Sequence, residues 1–133
     1  MGFTLIELLV VLIIVGILAT LAISNYGKVA ERSRQAEALT MLGALRGSQI
    51  RYYSEKNPPA YATAIGDLDL DTLTGKYFTY TLPATVVDSD LARATRNGVQ
   101  QTAGISGYEL KINRNGDISC TTSGAGDCVN IIP

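Results

Sequence analysis

The sequence predicts an α+β protein: one long amino-terminal α-helix, its first half apolar, packed on a small antiparallel β-sheet head. Three observations carry this expectation. Residues Leu8 to Ile23 read LLVVLIIVGILATLAI, with no charge and no strong hydrogen-bonding side chain apart from Thr20. From Lys28 to Glu55 no Pro interrupts the chain, and apolar residues recur mainly at three- and four-residue steps. Beyond Gly75, short aromatic and β-branched runs alternate with turn residues, as antiparallel strands do.

The apolar run sets the first element. With Phe3 to Glu7 added, it is long enough as a helix, about 31 Å at about 1.5 Å per residue, to span a bilayer. It is apolar all round, which predicts burial in lipid or among other helices. A secretory signal cut after Ala22-Ile23-Ser24 is one explanation, but no Lys or Arg precedes the run and it exceeds a usual signal core. A plain membrane anchor is a second, and it leaves Glu7 unexplained, because a lone acid inside an apolar helix is expensive. The third gives Glu7 a partner.

Gly2-Phe3-Thr4-Leu5-Ile6-Glu7-Leu8-Leu9-Val10-Val11 resembles the amino-terminal motif of type IV pilins and their relatives, the type II secretion pseudopilins. The match has no gap, and Gly16 stands where the family usually has a Gly. The resemblance implies the pilin fold, cleavage by a prepilin peptidase between Gly2 and Phe3, and N-methylation of Phe3. It also implies that Glu7 compensates the amino-terminal charge of a neighbouring subunit during assembly. The implied partners are identical subunits in a helical filament, the inner membrane before assembly, the prepilin peptidase and the pilus assembly machinery. The implied final location is a cell-surface, extracellular pilus. Many family members carry a helix-kinking Pro where this chain has Ser24, so a kink here would have to come from Gly16 or from packing.

Elementary electrostatics points the same way for Glu7. A freed α-amine, with a reference pKa near 8, is cationic at neutral pH and would offset much of the cost of a buried carboxylate. In a helix starting at Phe3, that amine lies one turn from Glu7. The plainer alternative is an interfacial carboxylate reaching toward lipid headgroups.

The helix is expected from Phe3 to about Ser54 and to end at Asn57-Pro58-Pro59. In its second half Val29, Ala36, Leu39, Leu42, Leu45, Gln49, Ile50 and Tyr53 form a stripe. Lys28, Glu31, Arg32, Arg34, Glu37, Arg46 and Arg51 occupy most of the remaining surface. Gly43 and Gly47 read as sites of close helix–sheet packing. Residues Asn57 to Gly75 read as a solvated connection. Within it Asp67, Asp69 and Asp71 alternate and are a candidate Ca²⁺ site, although an EF-hand's Gly and closing Glu are absent. Strands are expected at Lys76 to Leu82, Asp90 to Arg96 and Gly107 to Asn113. The last leads through Arg114-Asn115-Gly116-Asp117 to Ile118, Ser119 and Cys120, a hairpin about an Asn-Gly turn.

Cys120 and Cys128 close a Gly- and Ser-containing loop. In an exported chain of this family they are expected to form a disulfide, resembling the loop that staples the end of many pilins. Among 133 residues with a formal net charge of −1 there is no His and no Trp. The charge argues against nucleic-acid binding through bulk positive potential. Without His, the usual catalytic and metal sites cannot be built. No P-loop and no GxSxG motif occurs, so no enzyme and no cofactor is expected. The organisation read is residues 1–2 as residual leader, 3–25 as transmembrane or filament-core helix, and 26–133 as pilin head. The expected function is a structural subunit polymerising through its amino-terminal helix into a type IV pilus or pilus-like filament. The alternatives are the major pseudopilin of a type II secretion system and a monomeric membrane-anchored or secreted binding domain.

Overall fold

The computed structural model describes residues 2–70, 73–98 and 107–122, without the side chains of residues 22–25, 28 and 122. One helix, α1 (Leu5–Glu55), is followed by a 3₁₀ turn at Ile65–Asp67 and strands β1 (Phe78–Thr81), β2 (Ala92–Arg96), β3 (Tyr108–Ile112) and β4 (Ile118–Thr122). The strands form an antiparallel meander in the order β1-β2-β3-β4.

α1 starts two residues later than expected because Thr4 caps it. The Thr4 backbone is extended, and its hydroxyl accepts a hydrogen bond from the Glu7 N–H at 3.3 Å. The helix runs unbroken for 51 residues, about 76 Å, past Gly16 and Ser24. Thr20 is accommodated in the apolar run by back-bonding: its hydroxyl donates to the Gly16 and Ile17 carbonyls at 2.9 and 2.8 Å.

In the head the buried face of α1 is Glu31, Gln35, Ala38, Leu42, Leu45, Ser48 and Gln49. Steps of four and three residues keep these on one side. Val29, Ala36 and Leu39, expected in the stripe, are exposed, and Glu31, expected on the solvent face, is buried. The core is completed from the sheet by Phe78, Tyr80, Ala92, Ala94, Tyr108, Leu110 and Ile112, the inward positions of three strands. Small residues line both sides of the helix–sheet core: Ala38 on α1 and Ala92 and Ala94 on β2 are all fully buried in one cluster. Gly43 and Gly47 do not provide the expected close packing: Gly43 is exposed, and a Cβ there would meet nothing within 4 Å.

β2 begins later than expected because Val87 and Asp90 exchange backbone hydrogen bonds across a tight turn before the strand. The β3–β4 hairpin is as expected from Asn-Gly. Gly116 takes φ +99°, and the Asn113 side-chain oxygen accepts from the Gly116 and Asp117 N–H groups at 2.9 and 2.8 Å. The connection before β1 is less solvated than expected. Leu68 enters the core while Asp67 and Asp69 stay outside. The Gln49 amide pairs with the Ala62 backbone, donating to its carbonyl and accepting from its N–H, both at 3.0 Å.

Two glycines should respond oppositely to a methyl group. A Cβ on Gly75 would lie 2.5 Å from the Phe78 carbonyl oxygen and 2.7 Å from the Tyr80 ring. Gly75→Ala is expected to destabilise the head by about 1–3 kcal/mol through overpacking. Gly43→Ala, on an open helix surface, is expected to stabilise it by about 0.5–1 kcal/mol. Thermal unfolding of both variants, followed by circular dichroism, checks the opposite signs.

Candidate assembly site

α1 has two unlike halves, and the candidate site is the exposed one. Phe3 is 88% exposed, and every large apolar side chain described from Leu5 to Leu21 is exposed, on all sides of the helix. Single exposed apolar residues are ordinary, but a continuous apolar cylinder is not. Among the described residues no helix is long and apolar enough to cross a membrane. The side chains of Ala22 and Ile23, which complete the expected span, lie outside them. Glu7 sits in the first turn, exposed on the same surface, where the helix dipole favours an anion. Phe3 precedes the cap rather than lying in the helix, so the two are not the intrahelical neighbours that a helix beginning at Phe3 would make them.

The head holds the other half through a buried carboxylate. Glu31 is 0% exposed, and Arg96 on β2 is 5% exposed. The Arg96 Nε donates to Glu31 Oε1 at 2.6 Å, the Tyr108 hydroxyl donates to the same oxygen at 3.0 Å, and Arg34 Nη1 donates to Oε2 at 2.8 Å. Arg96 Nη1 also donates to the carbonyls of Tyr77 and Asn97, at 3.1 and 2.7 Å. Burial alone would raise the Glu31 pKa. The hydrogen bonds from Arg96, Arg34 and Tyr108 outweigh it and hold the carboxyl below the usual range. Burial, reinforced by the Glu31 charge and its hydrogen bond, pushes the Tyr108 hydroxyl well up. Tyr80 is raised to about 12, first by burial and then by Glu37.

Periodicity alone does not single out Glu31 or Arg96, because charge ordinarily marks the solvent face. Their signal was the spacing itself. Glu31 and Gln35 continue the Ala38, Leu42, Leu45, Gln49 series backward, and Arg96 shares the alternate positions of Ala92 and Ala94.

The remaining candidates are placed as follows. The Asp69 carboxylate accepts from Arg51 Nε and Nη2 at 2.9 and 2.7 Å and from the Ser48 hydroxyl. Arg51 first and Ser48 second lower its pKa to about 2. Asp67 is exposed, Asp71 lies outside the described residues, and among the described residues no group of three ligating side chains could hold a metal ion. Cys120 stands on β4 opposite Leu110, and Cys128 lies outside the described residues.

Residues 2–23 match the family model described as the prokaryotic N-terminal methylation motif. Over 112 residues the chain is 34% identical to the fimbrial protein EcpC of Eikenella corrodens, covering 84% of this chain and 72% of that protein. The chain belongs to the type IV pilins. It is 39% identical over 93 residues to the type IV major pilin PilA of Myxococcus xanthus, covering 70% of this chain and 41% of that pilin. With the type IV major pilin PilE of Neisseria gonorrhoeae it shares 30% identity over 112 residues, 84% of this chain and 65% of that pilin. The long helix on an antiparallel sheet is the α+β pilin architecture, with the motif on the exposed apolar half of the helix.

The two buried tyrosines of this pilin head predict its alkaline behaviour. A hydroxyl whose pKa is raised by folding keeps its proton while the unfolded chain ionises near pH 10, so stability falls as pH rises from there. Ultraviolet titration should show Tyr80 and Tyr108 ionising only as the head unfolds. Full ionisation of all seven tyrosines in a still-folded head would contradict the burial described.

Proposed function

We propose that this pilin is a structural subunit whose apolar helix half is its polymerisation element. The carrying observation is the contrast along α1: a head with its own buried core, and an apolar cylinder from Leu5 to Leu18 whose large side chains are all exposed. Apolar area of that extent must be removed from water by lipid or by other helices. The subunit is held first at the inner membrane through this helix. The assembly machinery then transfers it to a helical filament of identical subunits, where burial against neighbouring helices replaces burial in lipid. The filament leaves the cell as a surface pilus. Similarity to pilins and fimbrial proteins favours a pilus over a secretion pseudopilus and over a monomeric binding domain.

The motif match supports cleavage by a prepilin peptidase between Gly2 and Phe3, with N-methylation of Phe3. The new amine carries a positive charge just outside the Thr4 cap, free of the helix. A neighbour's Glu7 about 4 Å away would attract it by about 4 kcal/mol at an effective dielectric of about 20, before desolvation is subtracted. That attraction registers the incoming subunit. At the other end of the chain, Cys120 pairs with Cys128 as a disulfide after export; its support is that no described cysteine is free. No part of this function requires catalysis by the subunit or a cofactor.

Intact mass of the natural protein is expected to show a start at methylated Phe3, and a start at Asn25 would make the chain a secreted domain instead. Non-reducing peptide mapping is expected to recover Cys120 and Cys128 in one linked fragment; alkylation of both thiols without reduction would refute the pairing. Glu7→Ala is expected to leave membrane-held subunit at normal level and the head folded, while surface filaments fall severely. Loss of a carboxylate from an apolar helix lowers its transfer cost, so insertion itself should not suffer. Comparison of sheared filaments with membrane-bound subunit in a host with the matching machinery checks this.

A further inference from the structure

Among the described side chains Glu31 is the first on α1 that bonds to the sheet, and it is held from β2 and β3 at once. On its amino-terminal side the side chains of Tyr26 and Val29 are exposed and Ala30 is half-buried, and from Leu18 back to Leu5 every large apolar side chain is exposed, so the helix leaves the head here as an exposed arm. We propose that the Glu31–Arg96–Tyr108 cluster is a positioning device for assembly, fixing the direction in which the apolar arm leaves the head. The proposal rests on the filament reading above.

Geometry supplies the reason. From Glu31 to Leu5 the arm measures about 39 Å, so a tilt of about 10° at Glu31 carries its tip about 7 Å, nearly the spacing of about 8–10 Å between packed helices. Small looseness at the base therefore becomes a misplaced helix at the site of packing. Apolar contacts between Ala38, Leu42, Leu45 and the sheet are non-directional and permit rocking. The Arg96 guanidinium is a planar donor tied at one end to Glu31 and at the other to the Tyr77 carbonyl just before β1 and the Asn97 carbonyl just after β2. Tyr108 binds the same carboxylate from β3. Two strands thus fix one helix residue by bonds with defined angles. Stability alone does not account for the arrangement, since a buried ion pair is often no better for stability than apolar side chains of similar volume.

The test separates orientation from stability. The double variant Glu31→Leu/Arg96→Met replaces the pair by apolar side chains. Three quantities are compared with wild type, in the full chain: head unfolding temperature, filament yield, and the distance distribution between spin labels. The labels are carried on p-acetylphenylalanine at Ile13 on the arm and Thr79 on the exposed face of β1, leaving both cysteines untouched. The expected result is a head at least as stable as wild type, a distance distribution broadened about twofold, and filament yield about tenfold lower, because looseness acts through the lever and not through the core. Should the double variant not fold, Tyr108→Phe, which withdraws a single donor from Glu31, decides by the same distances. A wild-type distance distribution in the variant overturns the proposal, and full filament yield despite broadened distances overturns it equally. If the unaltered chain forms no filaments, the filament reading fails, and the distances still decide whether Glu31 and Arg96 fix the arm.

Discussion

A buried carboxylate, Glu31, held by three donors from two strands and its own helix, is the interaction on which the arrangement of this pilin turns. Removing one partner would leave a charge in the core, a loss of about 3–5 kcal/mol against a total stability of about 5–15 kcal/mol for a small domain. The carboxyl is held ionised below the usual range, so its contribution is present at neutral pH and is lost as acidification protonates it. Around it the helix–sheet core is lined on both sides by small buried residues, Ala38, Ala92 and Ala94.

That attachment divides one continuous helix into two environments. From Glu31 to Gln49 its inward face is dry and matched to the sheet, and Gln49 ties the far end to the Ala62 backbone. From Leu5 to Leu18 the same helix offers exposed apolar side chains on every side. Polymerisation follows from this asymmetry. In the proposed assembly the closed head is carried unchanged from membrane to filament, while the arm exchanges one apolar surrounding for another at little cost. Glu7 is the one ionisable side chain from Leu5 to Leu21, and in the proposed assembly it supplies what dispersion and apolar burial lack, a fixed register along the axis.

Much of this was legible in the sequence because period and composition report environment directly. The apolar run, the Asn-Gly hairpin and the alternation of Tyr108, Leu110 and Ile112 each produced the expected element within a few residues. The differences arise where a side chain did something other than its average. Thr4 capped the helix and moved its start, and Val87 with Asp90 closed a turn that shortened β2. Charge hid the burial of Glu31 and Arg96, because only a tertiary partner turns an acidic residue into a core residue, and no local pattern records that partner. Gly43 suggested close packing by its size, yet the small residue of α1 buried in the core is Ala38, on the other face. In the candidate site the motif was readable throughout, but the separation of Phe3 from the helix depends on the Thr4 hydroxyl.

The most direct measurement of the central claim, that the arm is the polymerisation element and the head is not rearranged, is photo-crosslinking in native filaments. With p-benzoylphenylalanine at Ile13, in the middle of the exposed arm, irradiation should link chain to chain and give a ladder of covalent oligomers. The same group at Leu42, in the closed core, should give intrachain products alone. Ladders from Leu42, or monomers alone from Ile13, would contradict the assignment of assembly to the amino-terminal half of the helix.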